Sequence, residues 1–176
     1  MRVVGLLRGV NLGSSRRLRM ADLRAAAESL GHTDVETYLQ SGNVVFTPAG
    51  GTPSDLGAAI TEALRDRVGL VAGVLTRTGA EMADIVAANP YRREDPTKVV
   101  VTFLEAPGDT SPIDALDLPS FVPEGLTVRG TEIYFDLPSG QARSPLLQAL
   151  SKHQVSGAVS TSRNWRTVTA LAQMSA

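Results

Sequence analysis

The most informative absence in this 176-residue chain is cysteine. A chain without cysteine has no disulfides, thiolate nucleophile, iron–sulfur cluster or cysteine-based zinc site. Histidine is nearly as scarce, since His32 and His153 are the two in the chain, and no metal-ligand partner or serine-nucleophile motif lies beside either. Each is interpreted as a surface or helix-end residue. The sequence therefore predicts neither a metal ion nor a cofactor.

Aromatic residues, long apolar runs and net charge are also sparse. Aromatic residues make up 5% of the chain and the net charge is −1. The N-terminal apolar run has only the length of a strand and charges interrupt every longer stretch, so no secretory signal or membrane span is predicted. A cytoplasmic protein is expected. The charge is nevertheless uneven, which permits an anion-binding face. Arginines crowd the N-terminal segment at Arg8, Arg16, Arg17, Arg19 and Arg24.

Apolar periodicity and turn residues predict an α+β protein with two subdomains in one compact unit. Residues 1–77 show strands and helices in the order βαββαβ, which is typical of a ferredoxin-like half. The last of these strands is predicted from Val71 to Thr76. The second helix begins with the cap residue Thr52 followed by Pro53. Its predicted buried stripe consists of Leu56, Ile60, Leu64 and Val68.

Residues 78–176 are predicted to form a smaller α+β subdomain with an antiparallel sheet, packed on the first. The first features that the sequence predicts here are a capping box at Thr78–Glu81 and a buried strand over 98–104. A loop with at most a short helix around 114–118 follows, and then a hairpin that turns at 129–131. The last two helices are predicted to start at Pro145 and near Asn164.

The first candidate site is the bend Leu6-Leu7-Arg8-Gly9-Val10-Asn11-Leu12-Gly13. Arg8 and Asn11 fall where the opening strand leaves the sheet. Two glycines within five positions allow positive φ or a close approach of the backbone to a ligand. Neither the dinucleotide fingerprint nor the P-loop is present. The alternative is that the glycines merely shape a strand-to-helix loop, with Arg8 solvated or paired to a carboxylate.

A second polar cluster, Gln40, Ser41 and Asn43, surrounds Gly42 at a predicted strand turn. Turn chemistry explains the glycine and the asparagine but not the glutamine. The cluster is therefore interpreted either as a ligand-binding tip or as plain hairpin chemistry.

A third cluster combines hydroxyls, two guanidinium groups and an indole over residues 160–166. Helix N-termini attract anions, arginine matches carboxylate or phosphate, and tryptophan offers a stacking face. In the alternative interpretation, Asn164 caps the helix, Trp165 fills the core between the subdomains and Arg163 pairs with an acid.

These three stretches resemble the bacterial DUF1697 family. The later two, at the length over which they match, are Tyr38-Leu39-Gln40-Ser41-Gly42-Asn43-Val44-Val45-Phe46 and Arg163-Asn164-Trp165-Arg166-Thr167-Val168. The resemblance implies a two-subdomain α+β fold with a ferredoxin-like N-terminal half, and it implies no established activity. Arg166 and Ser162 depart from the residues usual in the family. The signature positions that the resemblance carries over are Arg8, Asn11, Gln40, Ser41, Asn43, Arg163, Asn164 and Trp165.

The leading hypothesis is a binding protein whose polar loops form an anion-accepting groove, for a small phosphorylated or carboxylated ligand or a nucleic-acid backbone. One alternative is a cofactor-independent enzyme that uses the same groove, with a base supplied by a distant acid or His153. Another is a structural or interaction module. Base stacking of the RNA-recognition type is not expected, because the first strand has no aromatic residue and the third has only Phe46. The sequence leaves the oligomeric state open. In the expected groove Arg8 and Arg163 hold the anion, Asn11, Gln40 and Asn43 orient it, and Trp165 forms a wall.

Overall fold

The computed structural model describes residues 1–11, 17–152 and 160–176. It contains two four-stranded antiparallel sheets together with helices, which confirms the predicted α+β class. Among the helices in these ranges, none is both long and apolar enough to cross a bilayer.

The chain divides into two compact units. Residues 1–87 and 170–176 form the first unit, and residues 88–169 form the second. The predicted boundary between residues 77 and 78 lies one helix before this division. Each unit holds one of the two sheets.

The first unit follows the order βαββαβα along residues 1–87. Its sheet has the strand order β2-β3-β1-β4, and every neighbouring pair is antiparallel. Because β1 and β3 are antiparallel neighbours, the end of β1 lies beside the start of β3. The elements are β1 (Val3–Leu7), α1 (Met20–Ser29), β2 (Thr33–Thr37), β3 (Asn43–Thr47), α2 (Pro53–Val68), β4 (Val74–Thr78) and α3 (Gly79–Ala87).

The core of the first unit lies between one face of this sheet and helices α1 and α2. Val3 of β1 is paired in register with Phe46 of β3, and both side chains are buried. Burial of each such side chain contributes roughly 1.5–3 kcal/mol. The helices contribute Leu23, Ala26 and Ala27 from α1, and Leu56, Ile60 and Leu64 from α2.

The structure confirms the predicted start of α2 but not its predicted end. Thr52 caps the helix through a capping box with Asp55, and Pro53 is the first helical residue, as predicted. The predicted burial of Val68 is wrong, because the helix ends there and the side chain is 41% exposed. The following strand begins at Val74 and not at the predicted Val71, which is 64% exposed.

The second unit has the strand order β6-β7-β5-β8, again antiparallel throughout. Its hairpin turns at residues 129–131, as predicted. Helix α6 continues into the residues that belong to the first unit. The elements are β5 (Val99–Leu104), α4 (Ser111–Asp114), β6 (Gly125–Arg129), β7 (Glu132–Asp136), α5 (Pro145–Lys152), β8 (Ser160–Asn164) and α6 (Trp165–Ser175).

Two features of the second unit differ from the sequence prediction. The segment Ser160–Asn164, predicted to be the approach to a helix, forms strand β8 and pairs with β5. The short helix predicted around residues 114–118 lies earlier, at Ser111–Asp114, and a 3₁₀ turn follows at Leu118–Phe121. Both differences arise where the sequence has little apolar periodicity. For Ser160–Asn164, pairing with the distant strand β5 decides the conformation.

The core of the second unit lies between its sheet and α5. A buried carboxylate supports the start of that helix, since Glu124 Oε2 accepts hydrogen bonds from Ser144 Oγ at 2.9 Å and from the Leu146 backbone N–H at 3.0 Å. The Leu146 N–H at the start of α5 is therefore satisfied by a residue 22 positions earlier. The sheet and helix residues that form this core include Val100, Leu104, Ile133, Phe135, Leu146 and Leu150.

Candidate functional site

Arg8 is the first residue after β1, and its side chain is exposed. Its backbone N–H donates to the carbonyl oxygen of Gly73 at 2.9 Å, which anchors the start of the loop. Its guanidinium group forms no hydrogen bond or ion pair with any described residue. Gly9 follows with a φ of 64°, as expected where the chain turns out of the sheet. Arg16 and the predicted loop glycine Gly13 lie outside the described residues.

Asn11 joins three separate segments of the first unit. Its Nδ2 donates to the carbonyl oxygens of Leu18 at 3.0 Å and of Gln40 at 2.5 Å, and its Oδ1 accepts from the Leu18 N–H at 2.8 Å. The side-chain amide is thus used to hold the loop after β1, the approach to α1 and the β2–β3 turn together. This gives Asn11 a structural role, and its contact with a ligand stays a prediction.

The β2–β3 turn presents two exposed polar side chains and buries a third. Gln40 and Ser41 are exposed, whereas Asn43 is fully buried. Asn43 Nδ2 donates to the carbonyl oxygen of Tyr38 at 2.8 Å and to Ser41 Oγ at 2.9 Å. The buried amide therefore shapes the turn, while Gln40 and Ser41 form its surface.

The turn and the loop after β1 are in direct contact. The Leu7 N–H donates to the Gly42 carbonyl oxygen at 2.8 Å. Gly42 has a φ of 74°, and a Cβ atom there would lie 2.5 Å from Val10 Cγ2 and 2.7 Å from Leu7 Cβ. Only glycine fits this position, because a side chain would be both strained and too close to its neighbours. The structure thus brings the first two predicted clusters together.

A cavity of about 580 Å³ lies beside this junction, at the start of α1. Two of its lining residues, Asn11 and Gln40, are among the predicted site residues. Two others, Arg17 and Arg19, were not predicted individually, although both belong to the arginine-rich N-terminal segment. No carboxylate contributes to the described lining, which consists of Asn11, Arg17, Leu18, Arg19, Met20, Ala21 and Gln40.

The two arginines of the cavity differ in their charge balance. Arg19 donates two hydrogen bonds to the Asp22 carboxylate, from Nε at 2.8 Å and from an Nη at 3.0 Å. The hydrogen bond from Arg19 holds the pKa of Asp22 below its ordinary value. Arg17 is exposed and has no ion pair with any described residue. Among the described lining residues, Arg17 therefore supplies a positive charge that no carboxylate compensates.

The third predicted cluster lies in the second unit. Arg163 lies on β8 and is only 8% exposed. Its Nη1 donates to Thr161 Oγ1 at 2.7 Å and to the Ser162 carbonyl oxygen at 2.8 Å. Burial lowers the pKa of Arg163 to about 10. Because Arg163 and Arg8 belong to different units, their predicted sharing of one groove stays a prediction.

Asn164 and Trp165 mark the start of α6. Asn164 Oδ1 accepts a hydrogen bond from the Thr167 N–H at 3.0 Å, which is the predicted helix cap. Trp165 is the first helical residue and is half-buried. This geometry does not test the predicted contact of Asn164 and Trp165 with a ligand, which stays a prediction.

The candidate site shows little that would support acid–base or metal chemistry. In the described lining of the cavity there is no histidine, aspartate or glutamate. Over the described ranges, no group of three or more histidine and carboxylate side chains is placed to hold a metal ion. His153, considered above as a base, lies outside these ranges. The polar side chains that the described lining does contain are those of Asn11, Arg17, Arg19 and Gln40.

Comparison with known proteins supports the fold and the family. The conserved bacterial protein SP0830 from Streptococcus pneumoniae matches with a TM-score of 0.75 and 20% sequence identity, over 99% of this chain and 98% of that one. At this identity the likeness shows the fold alone. A search among curated proteins found no significant match. A family model described as a protein of unknown function, DUF1697, matches residues 1–134, which include the first two polar clusters. The chain belongs to the DUF1697 family.

Proposed function

We propose that the first unit binds a small ligand with a phosphate or carboxylate group in the cavity at the start of α1. The observation that carries this proposal is the composition of the described cavity lining, in which there are two arginines, two amide side chains and no carboxylate. Its volume of about 580 Å³ is ordinary for a small-molecule site. Leu18, Met20 and Ala21 add an apolar part to the wall.

Arg17 is assigned the main contact with the anion. A planar guanidinium group can donate two parallel hydrogen bonds to a phosphate or carboxylate. Arg19 is less available, because Asp22 already holds its guanidinium group. Arg8 is three residues from Asn11, so the two Cα atoms are at most about 11 Å apart. Its exposed side chain supports a second, longer-range contribution to the attraction of the anion.

The amides have different assigned roles. The Gln40 side chain has no hydrogen-bond partner among the described residues and is assigned a direct contact with the ligand. Asn11 fixes the Gln40 backbone through a 2.5 Å hydrogen bond, so it holds the turn in place before the ligand arrives. Such preorganisation favours binding, because less conformational freedom is lost when the complex forms.

The topology supports this placement of the loops. The strand order β4-β1-β3-β2 with antiparallel neighbours is that of a ferredoxin-like sheet, and we assign the first unit to that arrangement. In it the loop after β1 and the turn before β3 lie at the same end of the sheet. Two stretches about thirty residues apart therefore meet at one edge as a consequence of strand direction.

A small ligand is favoured over a nucleic-acid strand. Single-stranded nucleic acids are held largely by stacking of bases on exposed aromatic rings. Phe46, the aromatic residue of β3, is fully buried and stacks on His32. The net charge of −1 is also far from that of a dedicated nucleic-acid binder.

The proposal is tested by the thermal stability of the full chain in inorganic phosphate and in citrate, each compared with sodium chloride at equal ionic strength. Both anions are expected to raise the melting temperature, and the variant Arg17→Ala is expected to weaken binding tenfold or more, since a hydrogen bond to a charged group contributes about 1.5–3 kcal/mol. Arg8→Ala should weaken it less. Arg92→Ala is the matched control, because Arg92 is an exposed arginine of the second unit with no ion pair among the described residues.

Two outcomes would reject the proposal. One is an equal melting temperature in phosphate, citrate and chloride. The other is an Arg17→Ala variant that responds to the anions as the Arg92→Ala variant does. Binding of a single-stranded oligonucleotide that weakens steeply with added salt, without any response to phosphate, would instead support a nucleic-acid partner.

A further inference from the structure

His32 is buried between the end of α1 and the start of β2, with 6% of its surface exposed. Its ring stacks on Phe46, with the ring centroids 4.5 Å apart and an interplanar angle of 12°. Its Nδ1 accepts a hydrogen bond from the Ala49 backbone N–H at 3.2 Å. Because Nδ1 is the acceptor, the proton of the neutral ring must be on Nε2.

The other nitrogen of the ring has no partner. Nε2 is buried and forms no hydrogen bond with the described residues. The positively charged, doubly protonated form of this ring would therefore be poorly solvated. Burial lowers the pKa of His32 below its ordinary value of 6.5. The ring is thus neutral near pH 7, in the state that the Ala49 hydrogen bond needs.

The neighbouring elements do not supply a compensating carboxylate. Asp34 of β2 accepts hydrogen bonds from the hydroxyls of Thr33 and Thr47, and Asp55 of α2 accepts from Thr52. Glu28 near the end of α1 is exposed. In the described structure, burial is the cause of the pKa shift and none of these acids offsets it.

We propose that His32 is an acid-sensitive latch for the loop of residues 48–51, which connects β3 to α2. Protonation places an N–H group on Nδ1, where it faces the Ala49 N–H, so the hydrogen bond between them cannot persist. The middle of the loop is open, since Ala49 and Gly50 are exposed and a Cβ atom added at Gly50 would have no atom within 4 Å. Loss of the one hydrogen bond to His32 therefore releases the loop while the sheet beside it stays paired.

The latch is independent of the proposed anion site. Ala49 follows the C-terminal end of β3, whereas the β2–β3 turn precedes its N-terminal end. The two ends are roughly 15 Å apart along an extended strand. Failure of anion binding would leave the latch untouched, and the reverse also holds.

The test is amide hydrogen exchange of the full chain at pH 7.5 and pH 5.0, corrected for the intrinsic effect of pH on exchange. The variant His153→Gln is used as the background, so that His32 is the single histidine. The Ala49 amide is expected to lose protection at pH 5.0, by up to about fivefold, the loss equivalent to one hydrogen bond. Amides of β1 and β3 should keep theirs. Equal protection of Ala49 at both pH values, or simultaneous loss throughout the sheet, would overturn the proposal.

Two substitutions at position 32 separate the effect of the hydrogen-bond acceptor from the effect of the charge on the ring. His32→Asn offers an amide oxygen near the place of Nδ1 and does not titrate, so protection of Ala49 should persist at both pH values. His32→Phe keeps an aromatic ring on Phe46 but has no acceptor, so protection should be low at both. A pH-dependent change that survives in either variant contradicts the latch. If neither variant folds, the comparison in the His153→Gln background decides the question alone.

Discussion

The polar clusters of the two units contain the same kinds of residue but place their arginines oppositely. In the first unit Arg8 and Arg17 are exposed, while Asn11 and Asn43 are bonded within the fold. In the second unit Arg163 is buried and bonded within its own strand. A hydrated guanidinium group can meet an incoming anion, whereas a buried one has already exchanged water for internal hydrogen bonds. The first cluster thus presents its arginines to solvent, whereas the arginine of the second is engaged within the fold.

The largest effect is expected where the two loops of the first unit meet. Gly42→Ala should lower the free energy of unfolding by about 3 kcal/mol, from the strain of a positive φ together with contacts that are too short to Val10 and Leu7. Gly130→Ala is the matched control, because Gly130 has a φ of 60° but no atom within 4 Å of an added Cβ. Its cost should be about 1–2 kcal/mol. Urea unfolding measures both, and equal losses would show that contact with the loop after β1 does not matter.

Arg163→Ala should be the next most severe change, at about 2 kcal/mol. It removes a well-packed buried side chain and leaves the hydroxyl of Thr161 and the carbonyl of Ser162 without their donor. Arg17→Ala, which removes an exposed arginine, should change the free energy of unfolding by less than about 0.5 kcal/mol. Chemical denaturation of the two variants compares the clusters directly. Similar losses of stability from the two changes would remove the contrast between a binding arginine and a structural one.

Asn11→Ala should cost about 1.5 kcal/mol, because its amide joins Leu18 and Gln40 through three hydrogen bonds. Part of this loss is local, since Asn11 has a φ of 55°, a conformation that alanine adopts less readily than asparagine. Asn11→Gly separates the two causes, as glycine accepts the φ but makes no side-chain hydrogen bond. If the glycine variant is as stable as the wild type, the amide does not hold the loops together.

The sequence predicted the parts of the fold that depend on neighbouring residues. The capping box at Thr52 and the hairpin at residues 129–131 are local, since each is formed by residues within a few positions of one another. Strand β8 was missed because Ser160–Asn164 is polar, and its conformation depends on pairing with β5 some sixty residues earlier. Val68 was assigned to the buried stripe of α2 from its helical spacing and Val71 to the following strand, and neither is buried.

The same limit applies to the candidate site, where the predicted ligand contacts stay a prediction. Residue type identified polar loop tips, and strand direction brings Asn11 and Gln40 together. Residue type could not distinguish the exposed Arg8 from the buried Arg163, because burial depends on residues remote in sequence. The importance of Arg17 depends on Asp22 being held by Arg19, a pairing that sequence spacing allows but does not require.

The smallest expected effect contrasts the two units in their response to pH. Burial raises the pKa of Tyr134, on β7, to about 12, so the folded chain keeps the phenol protonated when the unfolded chain ionises near pH 10. At this residue the unfolded state then binds fewer protons, so the contribution of Tyr134 to stability should fall as the pH rises from 10 to 12. His32 in the first unit behaves oppositely. Its folded pKa lies below 6.5, so the unfolded state binds more protons and stability falls as the pH drops below that value.

Urea unfolding across both pH ranges measures these two slopes, and the difference in tyrosinate absorbance between the wild type and Tyr134→Phe reports the ionisation of Tyr134. Tyr134→Phe should flatten the alkaline slope and leave the acid slope unchanged, whereas His32→Asn should flatten only the acid one. Because each comparison concerns the slope, a uniform loss of stability caused by the substitution itself does not affect the result. An alkaline slope that persists in Tyr134→Phe would mean that another group of the second unit, such as Tyr91, whose pKa burial also raises, carries the response.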